Sequence, residues 1–139
     1  MPTSGRRSAR RQAVFILYQQ DLLGIPVQTA LTRDSERDID AYSRSLVLGV
    51  AARKEDIDAI LTPHLANWSL DRLGYLERSI LRVATYELLW ERGVPSPVAI
   101  DEAVTLAKRF CSDEAGALVN GILGSVLAQQ QEPDIQESK

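Results

Sequence analysis

The sequence has one cysteine and one histidine, no apolar run approaching a membrane span, and no acidic residue in its first 20 positions. Each shortage excludes something. A lone Cys111 cannot close an internal disulfide, and with His64 as the sole histidine a Cys/His zinc site is out of reach, which fits a reducing compartment. No window nears the ~18 consecutive apolar residues of a transmembrane helix, and the longest N-terminal apolar stretch, Ala13 to Tyr18, is too short for a secretory core. The expected location is cytoplasmic. No Gly-rich phosphate loop or GxGxxG occurs. No apolar/polar alternation lies between hairpin signals, so no strand is expected. What remains is ordinary for a globular protein: 45% hydrophobic and 25% charged residues in a 139-residue chain, suited to one domain with one core.

The charge is unevenly placed. Arg6, Arg7, Arg10 and Arg11 give the first 20 residues +4, whereas the remaining 119 carry 12 basic and 19 acidic side chains. An acidic body with a short basic N-terminal segment suggests a polyanion-binding arm. An Arg-rich, acid-free start is also the signature of a transit peptide, and a membrane-surface anchor or a solubilising helix end has the same composition. Against the transit reading, the apolar residues continue directly from the arginines.

Periodicity is helical throughout. After a flexible Met1–Gly5, residues 8–23 place Ala9, Ala13, Ile16 and Leu17 on one stripe. Arg6 and Arg10 are four apart, as are Arg7 and Arg11, and the line Arg7, Arg11, Val14 continues to Tyr18. Gly24 and Pro26 stop this helix, a short turn spans 27–31, and Asp34 or Ser35 caps the next. There Leu46, Val47 and Val50 form a stripe, with Glu36, Asp38 and Asp40 in the first turn. A helix from Lys54 carries Ile57, Ile60, Leu61, His64 and Leu65 and is bent or stopped by Pro63. Residues 75–91 are apolar around nearly the whole circumference, which predicts a buried central helix. Gly93, Pro95 and Pro97 break the chain before a helix over 100–110, and Asp113 opens the last helix, whose core stripe is Ala115, Leu118, Val119, Ile122, Leu123, Val126 and Leu127. Short loops make neighbouring helices antiparallel, so the expected fold is all-α: a compact bundle of six to eight helices over residues 1–128, followed by a disordered tail at 129–139.

Catalytic inventories fail. His64 and Cys111 each sit on an apolar face and read as packed side chains, and the acidic groups Glu36/Asp38/Asp40, Asp56/Asp58 and Asp101/Glu102 lie near helix starts, where dipole and solvation account for them. Gly116, Gly121 and Gly124 read as close-packing positions in the last helix. The arginine run is more informative, because guanidinium grips phosphate oxygens in pairs and stays charged at any physiological pH. Tyr18 adds a ring on which a base could stack, suiting single-stranded RNA, although a half-buried core tyrosine is an equal reading.

Four blocks in order resemble the transcription antitermination factor NusB family: Arg6-Arg7-Ser8-Ala9-Arg10 with Ala13-Val14 and Leu17-Tyr18; Glu77-Arg78-Ser79-Ile80-Leu81-Arg82-Val83-Ala84 with Tyr86-Glu87-Leu88; Val94-Pro95 through Ala99-Ile100-Asp101-Glu102-Ala103-Val104 to Leu106-Ala107-Lys108 and Phe110; and Val119-Asn120-Gly121-Ile122-Leu123. The resemblance implies an all-helical, non-enzymatic RNA-binding protein without cofactor or metal. Its partners would be single-stranded boxA RNA, mainly of ribosomal RNA operons, the small-subunit ribosomal protein NusE, and the RNA polymerase antitermination complex. Free members of the family could also hide the arm in a homodimer. Carried over by position, Arg6, Arg7 and Arg10 resemble the phosphate-binding arm, which Arg11 extends, Lys108 resembles a further RNA-facing position, and Asn120 matches the signature as either an RNA contact or a helix-packing position. Tyr18 and Glu77 resemble positions at the NusE contact. Three positions depart from the pattern: Leu118 where an aromatic residue is frequent, Ala117 where a basic one is, and Thr105 where an acidic one is usual. A NusB-like domain fused to a methyltransferase is not expected in 139 residues. The reading outside the RNA class is a helical adaptor whose arm binds protein or membrane.

Overall fold

The computed structural model describes residues 3–33, 38–66 and 68–131. Among the described residues seven α-helices follow one another: α1 (Thr3–Leu23), α2 (Val27–Arg33), α3 (Ala41–Ala52), α4 (Lys54–Leu61), α5 (Tyr75–Trp90), α6 (Ser96–Phe110) and α7 (Asp113–Gln131), with single 3-10 turns at Thr62–His64 and Leu70–Arg72. No strand occurs among the described residues. The all-α expectation and its helix number hold.

Local chemistry sets the ends. Gly24 closes α1 at φ +65°, a left-handed conformation that costs an L side chain energy, while the Ile25 amide donates back to the Gln20 carbonyl at 3.2 Å. The amide of Tyr42 donates to Asp40 Oδ1 at 2.7 Å, making Asp40 the N-cap of α3 and not a residue of its first turn; Asp34 and Ser35, expected to cap it, lie outside the described residues. Pro63 tightens the end of α4 into a 3-10 turn. Three elements are longer than expected. α1 begins at Thr3 inside the supposed tail, residues 27–33 complete a helix, and α6 starts at Ser96 because a proline in the first turn gives up an amide that would have no partner anyway. α7 runs to Gln131, so residues 129–131 of the expected tail are helical, and Gln129 Oε1 lies 2.8 Å from His64 Nε2; residues 132–139 lie outside the described residues.

α5 is the central element, packed against α1, α3, α4, α6 and α7. Its Ile80, Leu81, Val83 and Ala84 meet Ala13, Val14 and Leu17 of α1, Leu46, Val47 and Val50 of α3, Ile57 and Leu61 of α4, and Val119, Ile122, Leu123 and Val126 of α7 in one apolar core. At ~25 cal/mol per Å2 of apolar surface, this burial is the main favourable term of folding. α3 and α5 approach closely at Gly49, where an added Cβ would collide with the Tyr86 ring. Gly116 is likewise covered, by the stem of Lys108, but Gly121 and Gly124 face open space, so only the first of the three α7 glycines is a packing position.

The buried surface of α5 also carries charge, which its apolar reading missed. Arg82 holds Asp58 of α4 through two bonds, Nε–Oδ1 at 2.8 Å and Nη2–Oδ2 at 3.0 Å. Arg78 Nε donates to Asp21 of α1 at 2.9 Å. Burial opposes the Arg78 charge, but the Asp21 carboxylate outweighs it and leaves the guanidinium above its ordinary pKa. Asp58 is therefore an ion-pair partner and not merely a solvated helix-start acid.

Candidate nucleic-acid and partner interface

The four arginines of α1 have four different environments. A helix advances about 100° per residue, so Arg6 and Arg10 point toward α3 and α5, while Arg7 and Arg11 turn toward α6. Arg10 is 3% exposed and donates from Nε to both oxygens of Glu87 at 2.8 Å. The same carboxylate accepts from the Tyr42 hydroxyl at 2.5 Å, and burial together with the Glu87 charge raises the Tyr42 pKa well above its ordinary value. The Arg6 guanidinium lies over the Tyr42 ring, 4.3 Å from its centroid. Arg10, expected in the phosphate arm, lies instead in a buried ion pair that ties α1 to α5. The signal for this was Glu87 itself, an acid on a helix otherwise destined for burial, where a charge requires a partner.

Arg7 is the opposite case. Its side chain is 63% exposed, and its Nε lies 3.1 Å from each oxygen of Glu102 on α6, whose side chain is only 11% exposed. Glu102 is a shielded partner and not the solvated helix-start acid expected from its position. One turn along α1, Arg11 lines a cleft of about 640 Å3 together with Gln12, Phe15, Gln19, Asp38, Arg109 and Phe110. Gln12 bonds both the Asp38 carbonyl and the Asp40 amide, fixing that rim of the cleft to α1.

Lys108 and Asn120 are exposed and lie on the other flank of α6. The Lys108 stem covers Gly116, and Asn120 follows one turn later on the same ridge of α7. α6 thus carries cations to both sides, Arg109 toward the α1 cleft and Lys108 toward α7. Arg109 and Phe15 were not singled out from the sequence; a Lys-Arg pair closing a helix beside Phe110 was the available signal for the first.

Tyr18 and Glu77 are linked through intervening side chains. The Tyr18 ring meets Phe15 edge-on at 6.2 Å, Phe15 meets Phe110 edge-on at 5.0 Å, and Cys111, next in sequence, faces Glu77. Burial, then the Glu77 carboxylate, pushes the Cys111 thiol up to about 11. Glu77 also folds back over Gly74 in the first turn of α5, where a carboxylate suits the helix dipole. Exposed Leu22 and Tyr75 stand at the same end of the α1–α5 pair. No described helix is long and apolar enough to cross a membrane.

The fold is all-helical, with a basic and aromatic surface along α1 and α6. The NusB family profile matches residues 7–128, and the chain belongs to the NusB family. It is 45% identical over 126 residues to the transcription antitermination protein NusB of Exiguobacterium sp. AT1b, covering 89% of this chain and 98% of that one. To the corresponding protein of Geobacillus kaustophilus it is 42% identical over 127 residues, 91% of this chain and 98% of the other. Among solved structures, NusB of T. maritima superposes with a TM-score of 0.82 at 31% identity, over 100% of this chain and 99% of that one. A crystal structure of antitermination factors NusB and NusE in complex with dsRNA matches with a TM-score of 0.79 at 29% identity, covering 89% and 96%.

Proposed function

We propose that this protein is a non-enzymatic transcription antitermination factor that binds single-stranded boxA RNA of ribosomal RNA operons together with NusE, within the RNA polymerase antitermination complex. The observation that carries this reading is the outward guanidinium of Arg7, beside a cleft bearing Arg11 and Arg109, on a chain whose body is otherwise acidic. Relatives named as antitermination proteins and a structural neighbour solved with NusE and RNA support it. Arg6, Arg7 and Arg11 act as phosphate contacts, with Lys108 and Asn120 extending the RNA surface across α6. Tyr18 and Glu77 contribute to the NusE surface, with Phe15 and Phe110 between them.

The test is a titration of labelled boxA RNA at several salt concentrations, with and without NusE. Three phosphate contacts produce a log–log slope of about −2, at ~0.7 per contact on a single strand. Changing Arg6, Arg7 and Arg11 together to alanine should flatten that slope, and an unchanged slope and affinity would sink the assignment. Tyr18→Ala with Glu77→Ala should weaken NusE association while the helical spectrum is kept. Binding to acidic vesicles in preference to RNA would favour the adaptor reading.

A further inference from the structure

We propose that Glu102 is a positioning residue for RNA binding, holding Arg7 in the orientation that presents its two terminal amines to a phosphate. The inference rests on the RNA-binding reading above and adds a role for a side chain on a different helix. Three observations carry it.

The first is asymmetry of exposure: the Glu102 side chain is 11% exposed while Arg7 is 63% exposed. A pair with one member this open is a weak source of stability, because water screens it and the long arginine must be immobilised to form it. The second is which nitrogen is used. Both Glu102 oxygens lie 3.1 Å from Nε, so the carboxylate engages the inner edge of the guanidinium. Nη1 and Nη2 have no hydrogen-bond partner among the described residues, and this outer edge is a planar fork matched to two phosphate oxygens. The third is the surroundings. Arg10, one turn along, is locked in the Glu87 pair, and Arg6 rests on Tyr42, so the α1 backbone beneath Arg7 is anchored on two other helices. Arg7 is therefore restrained at both its root and its inner edge before any ligand arrives. Immobilising an unrestrained arginine would otherwise oppose binding by its rotamer entropy.

The carboxylate has an opposing effect, since its negative charge stands near the phosphate site. Removing the charge while keeping the acceptor oxygen separates the two influences. Titrations of labelled boxA RNA with the full chain, at several salt concentrations, should therefore compare Glu102→Gln and Glu102→Ala with Arg7→Ala. With Gln, the bond to Nε persists and affinity should stay within about threefold of the parent or exceed it. With Ala, Arg7 is released and affinity should fall about fivefold, the upper limit for a pair this exposed. The salt slope should stay unchanged, because the same phosphate contact still forms once RNA is bound. Arg7→Ala should instead reduce the slope by about 0.7. Adding Glu102→Ala to Arg7→Ala should cause little further loss, the non-additivity expected of a residue that acts through its partner. Circular dichroism of each variant confirms the fold.

If Glu102→Ala binds RNA as tightly as the parent or more tightly, Glu102 does not position Arg7 and the proposal is overturned. In that case an altered slope in Arg7→Ala leaves the RNA-binding reading standing. If Arg7→Ala changes neither affinity nor slope, the phosphate role of Arg7 fails and the positioning role falls with it.

Discussion

The arginines of α1 and those of α5 make an instructive pair of regions. On α5, Arg78 and Arg82 are both 9% exposed and reach across to Asp21 and Asp58, fastening α1 and α4 to the central helix. On α1, four arginines occur within six positions, and their side chains range from Arg10, more deeply buried than either arginine of α5, to Arg7, which stands mostly in water. Residue type is constant across both regions. What differs is whether a carboxylate on another helix meets the guanidinium and whether water can follow it there. The basic run thus holds one structural arginine, Arg10, which belongs with α5, and three, Arg6, Arg7 and Arg11, that keep contact with solvent.

The sharpest way to break this division is at the buried pair. Glu87→Ala should destabilise the protein by about 3–5 kcal/mol, since it strands the Arg10 charge and removes the acceptor of the Tyr42 hydroxyl. Thermal denaturation should show a fall of about 10 °C or more. Replacing Arg10 and Glu87 with methionine and Tyr42 with phenylalanine should recover most of that loss, because an apolar substitute removes the desolvation cost along with the charges. A melting curve for Glu87→Ala that overlays the parent would mean that Arg10 is not structurally fixed. Next in size, Arg82→Ala should cost about 1.5–3 kcal/mol in urea denaturation through loss of its two charged bonds to Asp58. Single alanine substitutions of Arg7 and Arg11 should each leave stability within about 0.5 kcal/mol. Each should lower the RNA salt slope by about 0.7, and destabilisation without a change in slope would move that arginine into the structural group.

The smallest effect concerns Cys111. Its thiol is held up to about 11, so in the folded protein it stays protonated at alkaline pH where the thiol of the unfolded chain has already ionised. The sign follows: the contribution to stability is present below the ordinary thiol range and is lost as pH rises toward about 11. Alkylation rates followed against pH should rise only near that value, and Glu77→Gln should shift the rise to lower pH. A thiol already reactive near neutral pH would contradict the placement of Glu77 beside it.

Much of the fold was legible because core positions recur with helical period. Of the expected stripe, Ala115, Val119, Ile122, Leu123 and Val126 are buried and Leu118 and Leu127 only half-buried at its edges, and residues 75–91 are central as their continuous apolar surface implied. Element ends were read less well for local reasons: Pro97 is compatible with the first turn of α6, and the cap of α3 is Asp40 itself. At the candidate site, the sequence marked Arg7, Arg11, Lys108 and Tyr18, all of which lie at least partly exposed along α1 and α6. It did not reveal that Arg10 is buried, it read Glu102 as a solvated helix-start acid and gave Glu87 no pairing role, and it left Arg109 and Phe15 unmarked.

By itself, the sequence determined that this chain is helical, that its helices share one core, and that its positive charge is concentrated at the N-terminal end, because periodicity, breakers and charge density are local properties of the chain. Only the tertiary structure decided which arginine is buried and which stands in solvent. That choice depends on carboxylates 77 and 95 residues away, Glu87 and Glu102, whose distance from α1 is set by helix packing and leaves no trace in local spacing.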